Sequence, residues 1–228
     1  MTCGDHKTVL GFIGGTGPQG RGLGRRFADA GHAVLVGSRS AEKAKRSAAS
    51  LGLDGVDGVD VRGVDNTTAC READIVFVTL PYDAQRPTLT GLAEVIGDKI
   101  VVNCVNAVDF DGRGPMPRRV EAGSAAEECA LILPRARVIS AFHDVSAHRL
   151  LRCDEQIPID VLICGDDEEA KHEVMRLASE IPGMWGVDCG PLRLSGPIEQ
   201  MTSVLLSINH RYDIHSGLRI DGIVRSDC

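Results

Sequence analysis

A glycine pattern near the start of the chain is the clearest candidate for ligand chemistry in this sequence. Residues Gly15-Thr16-Gly17-Pro18-Gln19-Gly20 fit the pattern Gly-x-Gly-x-x-Gly. In such a pattern the first glycine permits a tight turn, the second lets a pyrophosphate approach the backbone, and the third lets a helix pack against the preceding strand. An apolar run at 8–13 precedes the pattern and a helical pattern at 21–30 follows it, which is the context that a dinucleotide-binding loop requires. The stretch therefore predicts phosphate binding at a helix N-terminus.

The residues after the second predicted strand indicate which dinucleotide is bound. NAD-binding proteins place a carboxylate for the ribose 2′-hydroxyl about 20 residues after the glycines. This chain has Ser38 and Arg39 there, with Lys43 four residues after Arg39. A hydroxyl and a guanidinium suit a 2′-phosphate, which a carboxylate would repel. The alternative is that Arg39 and Lys43 are surface charges at a helix start, where the helix dipole disfavours cations. We therefore expect NADP(H) rather than NAD(H).

Other patterns add one candidate segment and exclude several chemistries. Pro81 and Tyr82 follow the fourth predicted strand, and ligands of such folds bind at the carboxyl ends of strands; Tyr82 equally suits a half-exposed packing position. The sequence contains no Gly-x-Ser-x-Gly and no His-Glu-x-x-His, the signatures of serine hydrolases and zinc proteases. His143 and His148 have a poor spacing for joint metal ligation, and the acidic run 166–169 is expected to start a helix. No metal site is predicted.

These residues need a sheet that presents the ends of its strands at one edge, and the hydrophobic pattern supplies it. Apolar runs alternate with helical patterns, which predicts an α/β fold with a Rossmann-type, doubly wound parallel sheet. Strands are predicted at 8–13, 32–37, 59–64, 74–80, 99–105, 137–142, 159–165 and 185–190. Helices are predicted at 21–30, 40–50, 66–72, 84–96, 125–134, 166–181 and 197–212, with a turn and a short helix at 143–151. Residues 106–120, rich in glycine and proline, are predicted to be a loop.

The change of pattern after the sixth strand predicts two domains. We expect an NADP-binding Rossmann domain at 1–142 and a smaller C-terminal α/β domain at 143–228, which completes a substrate cleft and supplies the probable dimer contact. The alternative is that the unit at 159–190 extends the first sheet.

Composition limits the classes of partner. The net charge of −7 and the absence of any run of four Lys or Arg residues argue against nucleic-acid binding. No apolar run reaches 18 residues and none resembles a secretory signal, so we expect no membrane association and a cytoplasmic protein. The eight cysteines include no pair separated by two residues, which argues against zinc and thioredoxin motifs. Cys104, Cys164 and Cys189 follow apolar runs and are expected to pack in the core.

Six stretches spread over about residues 8–223 resemble one enzyme family. They are GFIGGTGPQGRGLGRRFADAGHAVLVGSRSAEKA, FVTLPYDA, VISAFHDVSAHRL, VLICGDDEEAK, DCGPLRLSGPIEQMT and LLSINHRYDIHSGLRIDGI. Together they are similar to the NADPH-dependent reductases of the deazaflavin coenzyme F420, also called F420-dependent NADP reductases. The combination of Gly-Ser-Arg, the Ser-Ala-Phe-His turn and the Cys-Gly-Asp-Asp strand end is more specific than the glycine loop alone.

The resemblance implies an oxidoreductase that passes a hydride directly between NADP(H) and coenzyme F420. Such enzymes have a Rossmann domain and a smaller domain, usually form homodimers, and need little acid–base chemistry because they stack two rings and exclude water. Carried over to this chain, Ser38, Arg39 and Lys43 would hold the 2′-phosphate, and Thr16 and Gln19 would contact the cofactor at the glycine loop.

The resemblance also assigns a turn to the deazaflavin side. His143, Asp144, Val145 and Ser146 match the turn beside the deazaflavin ring, with His143 orienting the ring or polarising its carbonyl. Asp144 departs from the residue that often follows the histidine in this family. The variable stretch 103–108 would tune the nicotinamide pocket.

Two other functions stay open on the sequence. One is an NADP-dependent reductase of another small organic substrate, such as an imine or a carbonyl compound, which would share the whole N-terminal half. The other is a non-catalytic NADPH sensor, although a sensor has no need for a polar turn at 143–148.

Overall fold

The structure, a computed structural model, describes residues 7–53 and 60–225. Its described strands, in chain order, are β1 (Val9–Ile13), β2 (Ala33–Ser38), β3 (Val61–Asp65), β4 (Ile75–Val78), β5 (Ile100–Asn103), β6 (Val108–Asp111), β7 (Gly114–Pro117), β8 (Arg137–Ser140), β9 (Asp160–Gly165) and β10 (Trp185–Asp188). Eight of these form one sheet in the order β10-β9-β8-β5-β4-β1-β2-β3, while β6 and β7 form a separate hairpin. Val59, at the start of the predicted third strand, lies outside the described residues.

The helices of the described residues connect these strands as the alternating pattern predicts. They are α1 (Pro18–Asp29), α2 (Ala41–Ala49), α3 (Asn66–Glu72), α4 (Tyr82–Thr90), α5 (Ala93–Ile96), α6 (Ala125–Ile132), α7 (Ala147–Leu150), α8 (Glu168–Glu180) and α9 (Ser195–Tyr212). The pairing is parallel from β3 across to β8. The predicted Rossmann-type parallel sheet is therefore confirmed.

Both faces of the sheet are buried, because alternate side chains of each central strand enter different cores. On β4, Phe77 belongs to one hydrophobic cluster and Val76 to the other. The first cluster contains stacked rings of Phe12 and Phe77, with centroids 4.8 Å apart, and Phe142, whose ring lies 6.1 Å from that of Phe77. Two covered faces explain why the strands read as continuous apolar runs rather than as alternating patterns.

The C-terminal strands continue the same sheet. β9 pairs antiparallel with β8, and β10 pairs parallel with β9, so the unit at 159–190 extends the first sheet, which was the alternative open on the sequence. The division into domains at residue 142 stays a prediction. The short helix α7 is fastened to α1 by the buried guanidinium of Arg26, which donates to the carbonyl oxygens of Leu150 at 2.9 Å and Arg149 at 3.0 Å.

Four local expectations are corrected. Helix α1 begins at Pro18 rather than at 21, because proline suits the first helical position. The helix predicted at 84–96 is two helices, separated at Gly91 and Leu92. The loop predicted at 106–120 contains the β6–β7 hairpin, whose prolines are tolerated because they lie on edge strands. Helix α9 begins at Ser195 rather than at 197.

The expectations for the start of helix α8 and for two of the three core cysteines are confirmed. The acidic run at 166–169 starts helix α8, since the Asp167 carboxylate accepts a hydrogen bond from the Ala170 N–H at 2.8 Å. Cys104 and Cys164 are buried in the core, whereas Cys189 is only partly buried. None of the described helices is both long enough and apolar enough to cross a membrane.

Candidate functional site

The glycine loop lies between β1 and α1 and leaves its helix end free. The structure gives helix α1 no side-chain cap at its N-terminus, so its first N–H groups face the groove beside the loop. A Cβ on Gly20 would lie 2.6 Å from the Gly15 Cα, whereas a Cβ on Gly17 would meet nothing closer than 3.6 Å. Gly20 is therefore required for close packing, and the space at Gly17 is open for a ligand. Gly14, outside the sequence pattern, has φ of +76° and makes the turn.

The predicted 2′-phosphate residues converge at the mouth of this loop. Ser38 is the last residue of β2 and is buried, and its Oγ accepts a hydrogen bond from the Ser40 N–H at 3.3 Å. Arg39 and Lys43 are exposed, and both line the same cavity of about 260 Å³ as Ser38 and Thr16. A hydroxyl and two cations therefore line one cavity beside a helix N-terminus, and these are groups that bind phosphates in proteins. Their contact with a 2′-phosphate stays a prediction.

A second cavity, of about 680 Å³, continues from Ser38 and Arg39 towards α3 and α4. It is lined in part by Asn66, which the sequence analysis did not single out. Asn66 is buried, and its Oδ1 has no hydrogen-bond partner among the described residues. A buried polar atom without a partner is costly unless a ligand or water satisfies it. Asn66 directly follows β3, at the same sheet edge as Ser38. This position after a predicted strand was the sequence signal that could have predicted a residue of the site.

A third cavity, of about 730 Å³, lies on the other side of Pro81, which lines both it and the glycine-loop cavity. The structure brings the predicted turn residues to this cavity, together with two that the sequence did not assign individually. Its lining includes Gln19, Tyr82, Asn106, His143, Asp144, Val145, Ser146 and Thr202. The three cavities therefore follow the carboxyl ends of β1, β2, β4, β5 and β8, where ligands of open α/β sheets bind.

His143 is held rigidly inside the protein. Its Nε2 lies 2.8 Å from the Ser140 Oγ and its Nδ1 lies 3.1 Å from the Asn106 Oδ1. Burial lowers the pKa of His143 to about 3, because the charged imidazolium would be desolvated. A neutral ring with both nitrogens partnered orients the turn around it. Whether His143 also contacts a ligand stays a prediction.

A side chain of the glycine motif, Gln19, holds the turn that carries His143. Phe142 has φ of +63°, a left-handed conformation that is rare outside glycine, and its carbonyl accepts a hydrogen bond from the Gln19 Nε2 at 3.0 Å. Gln19 is a predicted cofactor residue on α1 and lines the third cavity. The phosphate loop and the polar turn are therefore mechanically linked.

Asp144 is the most unusual carboxyl group of the third cavity. Only 8% of its surface is exposed, and its Oδ1 lies 3.4 Å from the Thr202 Oγ1 on α9. Burial raises the pKa of Asp144 to about 7, and the Thr202 hydrogen bond opposes this only in part. Thr202 also contacts the His143 carbonyl oxygen, at 3.2 Å. The sequence did not reveal Thr202, since α9 is remote from the turn along the chain.

Tyr82 is a packed residue that also borders the third cavity, and its contact with a cofactor stays a prediction. It is the first residue of α4, is half-buried, and lines the third cavity. Its hydroxyl donates to the Glu128 Oε1 at 3.3 Å, and the Arg118 guanidinium lies 5.0 Å from its ring centroid. Burial raises the pKa of Tyr82, as does the nearby Glu128 carboxylate. The ring is thus a packed wall of the cleft.

Comparisons with known proteins give the family. Residues 9–107 match the family model described as "NADP oxidoreductase coenzyme F420-dependent". The F420-dependent NADP reductase of Methanothermobacter thermautotrophicus is 36% identical over 220 residues, which cover 94% of this chain and 95% of that protein. The chain belongs to the F420-dependent NADP reductase family. The F420-dependent NADP reductase of Methanocaldococcus jannaschii is also 36% identical, over 94% of this chain and 98% of its own.

The fold agrees with this family. The crystal structure of a putative F420-dependent NADP reductase from Arthrobacter sp. FB24 superposes with a TM-score of 0.79 at 23% identity, covering 94% of this chain and 99% of that one. At this identity the likeness shows the fold alone. Family membership thus rests on sequence similarity over 94% of the chain. It agrees with the resemblance found in the sequence.

The rigid setting of His143 predicts an imidazole that does not titrate in the ordinary range. Because burial disfavours its charged form, we expect His143 to stay neutral from pH 8 down to about pH 4. Nitrogen-15 NMR of histidine-labelled protein measures this directly, and His143→Gln identifies the resonance. A His143 signal that titrates between pH 6 and 7 would contradict the closed hydrogen-bonded arrangement with Ser140 and Asn106.

Proposed function

We propose that this chain is an oxidoreductase that transfers a hydride directly between NADP(H) and the deazaflavin coenzyme F420. The observation that carries the proposal is that the glycine-loop cavity and the third cavity are both lined by Pro81 and differ in chemistry. The two cavities are here called the two ends of one groove. One end offers a helix N-terminus and cations to phosphates, and the other offers neutral polar groups and apolar walls to a ring system. Membership of the F420-dependent NADP reductase family supports the same function.

The residues at the phosphate end would bind NADP(H). The N–H groups of Gln19 and Gly20 at the start of α1, together with the open backbone at Gly17, would receive the pyrophosphate. Ser38, Arg39 and Lys43 would hold the 2′-phosphate, with Thr16 beside them. Gly15 and Pro18 would act through the loop geometry. A Cβ on Gly15 would lie 2.9 Å from the Phe12 Cβ, so Gly15 lets the loop pass close to β1, and Pro18 starts the helix.

The residues at the ring end would position the two reacting rings. Pro81 and Tyr82 form one wall, and the turn His143, Asp144, Val145 and Ser146 forms another. When bound, NADPH supplies the hydride and the deazaflavin accepts it. The protein's part is to hold the donor and acceptor carbons about 3–3.5 Å apart and to exclude water.

The overall activity is tested by mixing the purified protein with NADPH and the oxidised deazaflavin coenzyme. We expect the 420-nm absorption band of the oxidised coenzyme to fall only when the protein is present. NADH in place of NADPH is the matched control and should give a much slower change, because it lacks the 2′-phosphate. An unchanged band with NADPH would reject the proposed function. It would favour an NADP-dependent reductase of another small organic substrate.

The 2′-phosphate assignment is tested by Arg39→Asp. Replacing a cation with an anion should weaken NADPH binding about 100-fold, since charge-assisted contacts to a phosphate are lost and repulsion is added. NADH binding should change less than threefold. Lys45→Asp is a matched control, because Lys45 lies on α2, the helix that follows Arg39, pairs with Glu42 and lines neither cavity. Equal weakening of NADPH and NADH in Arg39→Asp, measured by calorimetry, would remove the assignment.

We propose further that the chain forms a homodimer through the face made by α9 and the β6–β7 hairpin. These elements pack together and expose Phe110, 72% exposed, and Val204, 51% exposed, with Met116 and Met201. A monomeric protein rarely exposes such a group of large apolar side chains. The same helix carries Thr202 of the cleft, so dimer formation would also hold the cleft wall.

Sedimentation velocity tests the dimer. We expect Val204→Glu to raise the dissociation constant of the dimer at least tenfold, because a charge would be buried at the interface. Leu151→Glu is the control, since Leu151 is 39% exposed at the end of α7, away from this face. A wild-type protein that is monomeric at 50 µM would refute the proposal, as would a Val204→Glu variant that dimerises normally.

A further inference from the structure

We propose that Asp144 is the proton donor and acceptor that accompanies hydride transfer in this cleft. The inference rests on the proposed function and deepens it, since direct hydride transfer by itself supplies no proton. The resemblance to the family assigns Asp144 at most a contact with the ring. At this position the chain also departs from the residue that often follows the histidine in the family.

The need for a proton follows from the balance of the reaction. In the direction of deazaflavin reduction, the C4–H bond of NADPH breaks with its electron pair, and a new C–H bond forms at C5 of the deazaflavin. The added electron pair reaches the ring nitrogen N1, which needs a proton to give the neutral dihydro product. The O–H bond of Asp144 breaks, an N1–H bond forms, and Asp144 is left as a carboxylate that regains a proton from solvent. The reverse reaction uses the carboxylate as the base.

The position of Asp144 suits this role. Asp144 directly follows His143 in the turn after β8. It lines the third cavity, and only 8% of its surface is exposed. Its described side-chain partner is the hydroxyl of Thr202, at 3.4 Å, rather than a cation. Thr202 is held in turn by the His143 carbonyl oxygen at 3.2 Å and the Asn106 Oδ1 at 3.1 Å. A carboxyl group so placed is oriented without being locked into the ionised form.

The titratable neighbours of Asp144 do not force its ionisation. His143 beside it is neutral. Cys189, after β10, is near enough for the Asp144 charge to interact with its thiol. His148 on α7 and His215 in the C-terminal segment stack on each other, 4.0 Å apart, at the edge of the same cavity. Arg118 is the cation across the cavity, and its charge is balanced by Asp83 at 2.6 Å. With its pKa raised to about 7 by burial, Asp144 has both protonation states populated near neutral pH.

The other acids and bases of the cavity are less suited to the role. Asp83 and Asp109 are engaged by a cation rather than by a hydroxyl, since they lie 2.6 Å and 4.0 Å from the Arg118 guanidinium. Asp213 is exposed at the end of α9. His143 has protein partners at both ring nitrogens. Asp144 is thus the acid of this cavity that combines burial, orientation and a hydroxyl partner.

The first test measures single-turnover rates in both directions with the wild-type protein. Because the protonated acid is needed for deazaflavin reduction, that rate should fall as pH rises through about 7. The rate of the reverse reaction should rise over the same range, because it needs the carboxylate. Both should slow in deuterium oxide. Rates that are independent of pH from 5.5 to 8.5 in both directions would overturn the proposal, whatever the variants do.

The second test compares Asp144→Asn with wild type. Loss of a general acid should reduce the rate of deazaflavin reduction at pH 6 about 100-fold or more and abolish the pH dependence and the solvent isotope effect. The dissociation constant for NADPH should stay within twofold, since Asp144 lies at the other end of the groove. Carbon-13 NMR of aspartate-labelled protein gives a readout without any cofactor: one carboxyl resonance should titrate near pH 7 in wild type and be missing in Asp144→Asn.

Glu199→Gln is the matched control. Burial also raises the pKa of Glu199 to about 7, but its oxygens accept the N–H groups of Ala125 at 2.8 Å and Ala126 at 3.0 Å, and it lies outside the lining of the cavity. Glu199→Gln should keep the wild-type pH profile of hydride transfer. A wild-type protein that reduces the deazaflavin together with an Asp144→Asn variant of unchanged rate and profile would overturn the role of Asp144 alone. A wild-type protein that leaves the 420-nm band unchanged would overturn the proposed function instead.

Discussion

The left-handed backbone at Phe142 is the constraint on which the cleft depends. A non-glycine residue at φ of +63° costs about 1–3 kcal/mol, and the surrounding structure must offset this cost. The Phe142 ring does so by packing 6.1 Å from Phe27 and from Phe77 in the core. The carbonyl of Phe142 is held at 3.0 Å by Gln19. The left-handed conformation reverses the chain, so that His143 and Asp144 lie at the carboxyl end of β8. An apolar core residue therefore sets the direction of the polar turn.

The groove separates two kinds of electrostatics. At the glycine loop, the helix N-terminus and two exposed cations attract an anion, although the chain as a whole carries a net charge of −7. At the polar turn, burial disfavours charge: it lowers the pKa of His143 to about 3 and raises that of Asp144 to about 7. On the proposed function, charge would hold the cofactor by its phosphates at one end, and desolvated polar groups would surround the reacting rings at the other, where a dry site strengthens each polar contact.

Much of this arrangement could be predicted from local patterns. The glycine loop, Ser38, Arg39 and Lys43 are close in sequence to strand ends, and the geometry of a βαβ unit brings such positions together whatever the rest of the chain does. The β6–β7 hairpin could not be predicted, because two prolines in a four-residue strand hide its pattern. The antiparallel joining of β9 to β8 was also beyond a local pattern, since strand direction depends on where the connecting segment crosses the sheet.

The sequence by itself determined the alternation of helices with the strands of the main sheet, the glycine loop with Ser38, Arg39 and Lys43 beside it, and the family. It did so because periodicity and short motifs act within one or two consecutive elements. Only the tertiary structure decided which polar groups surround His143 and Asp144. Asn106, Thr202 and Gln19 come from three different elements, and Thr202 is separated from Asp144 by 58 residues. Their hydrogen bonds, and the burial that moves the two pKa values in opposite directions, exist only once β5, β8, α1 and α9 are packed together.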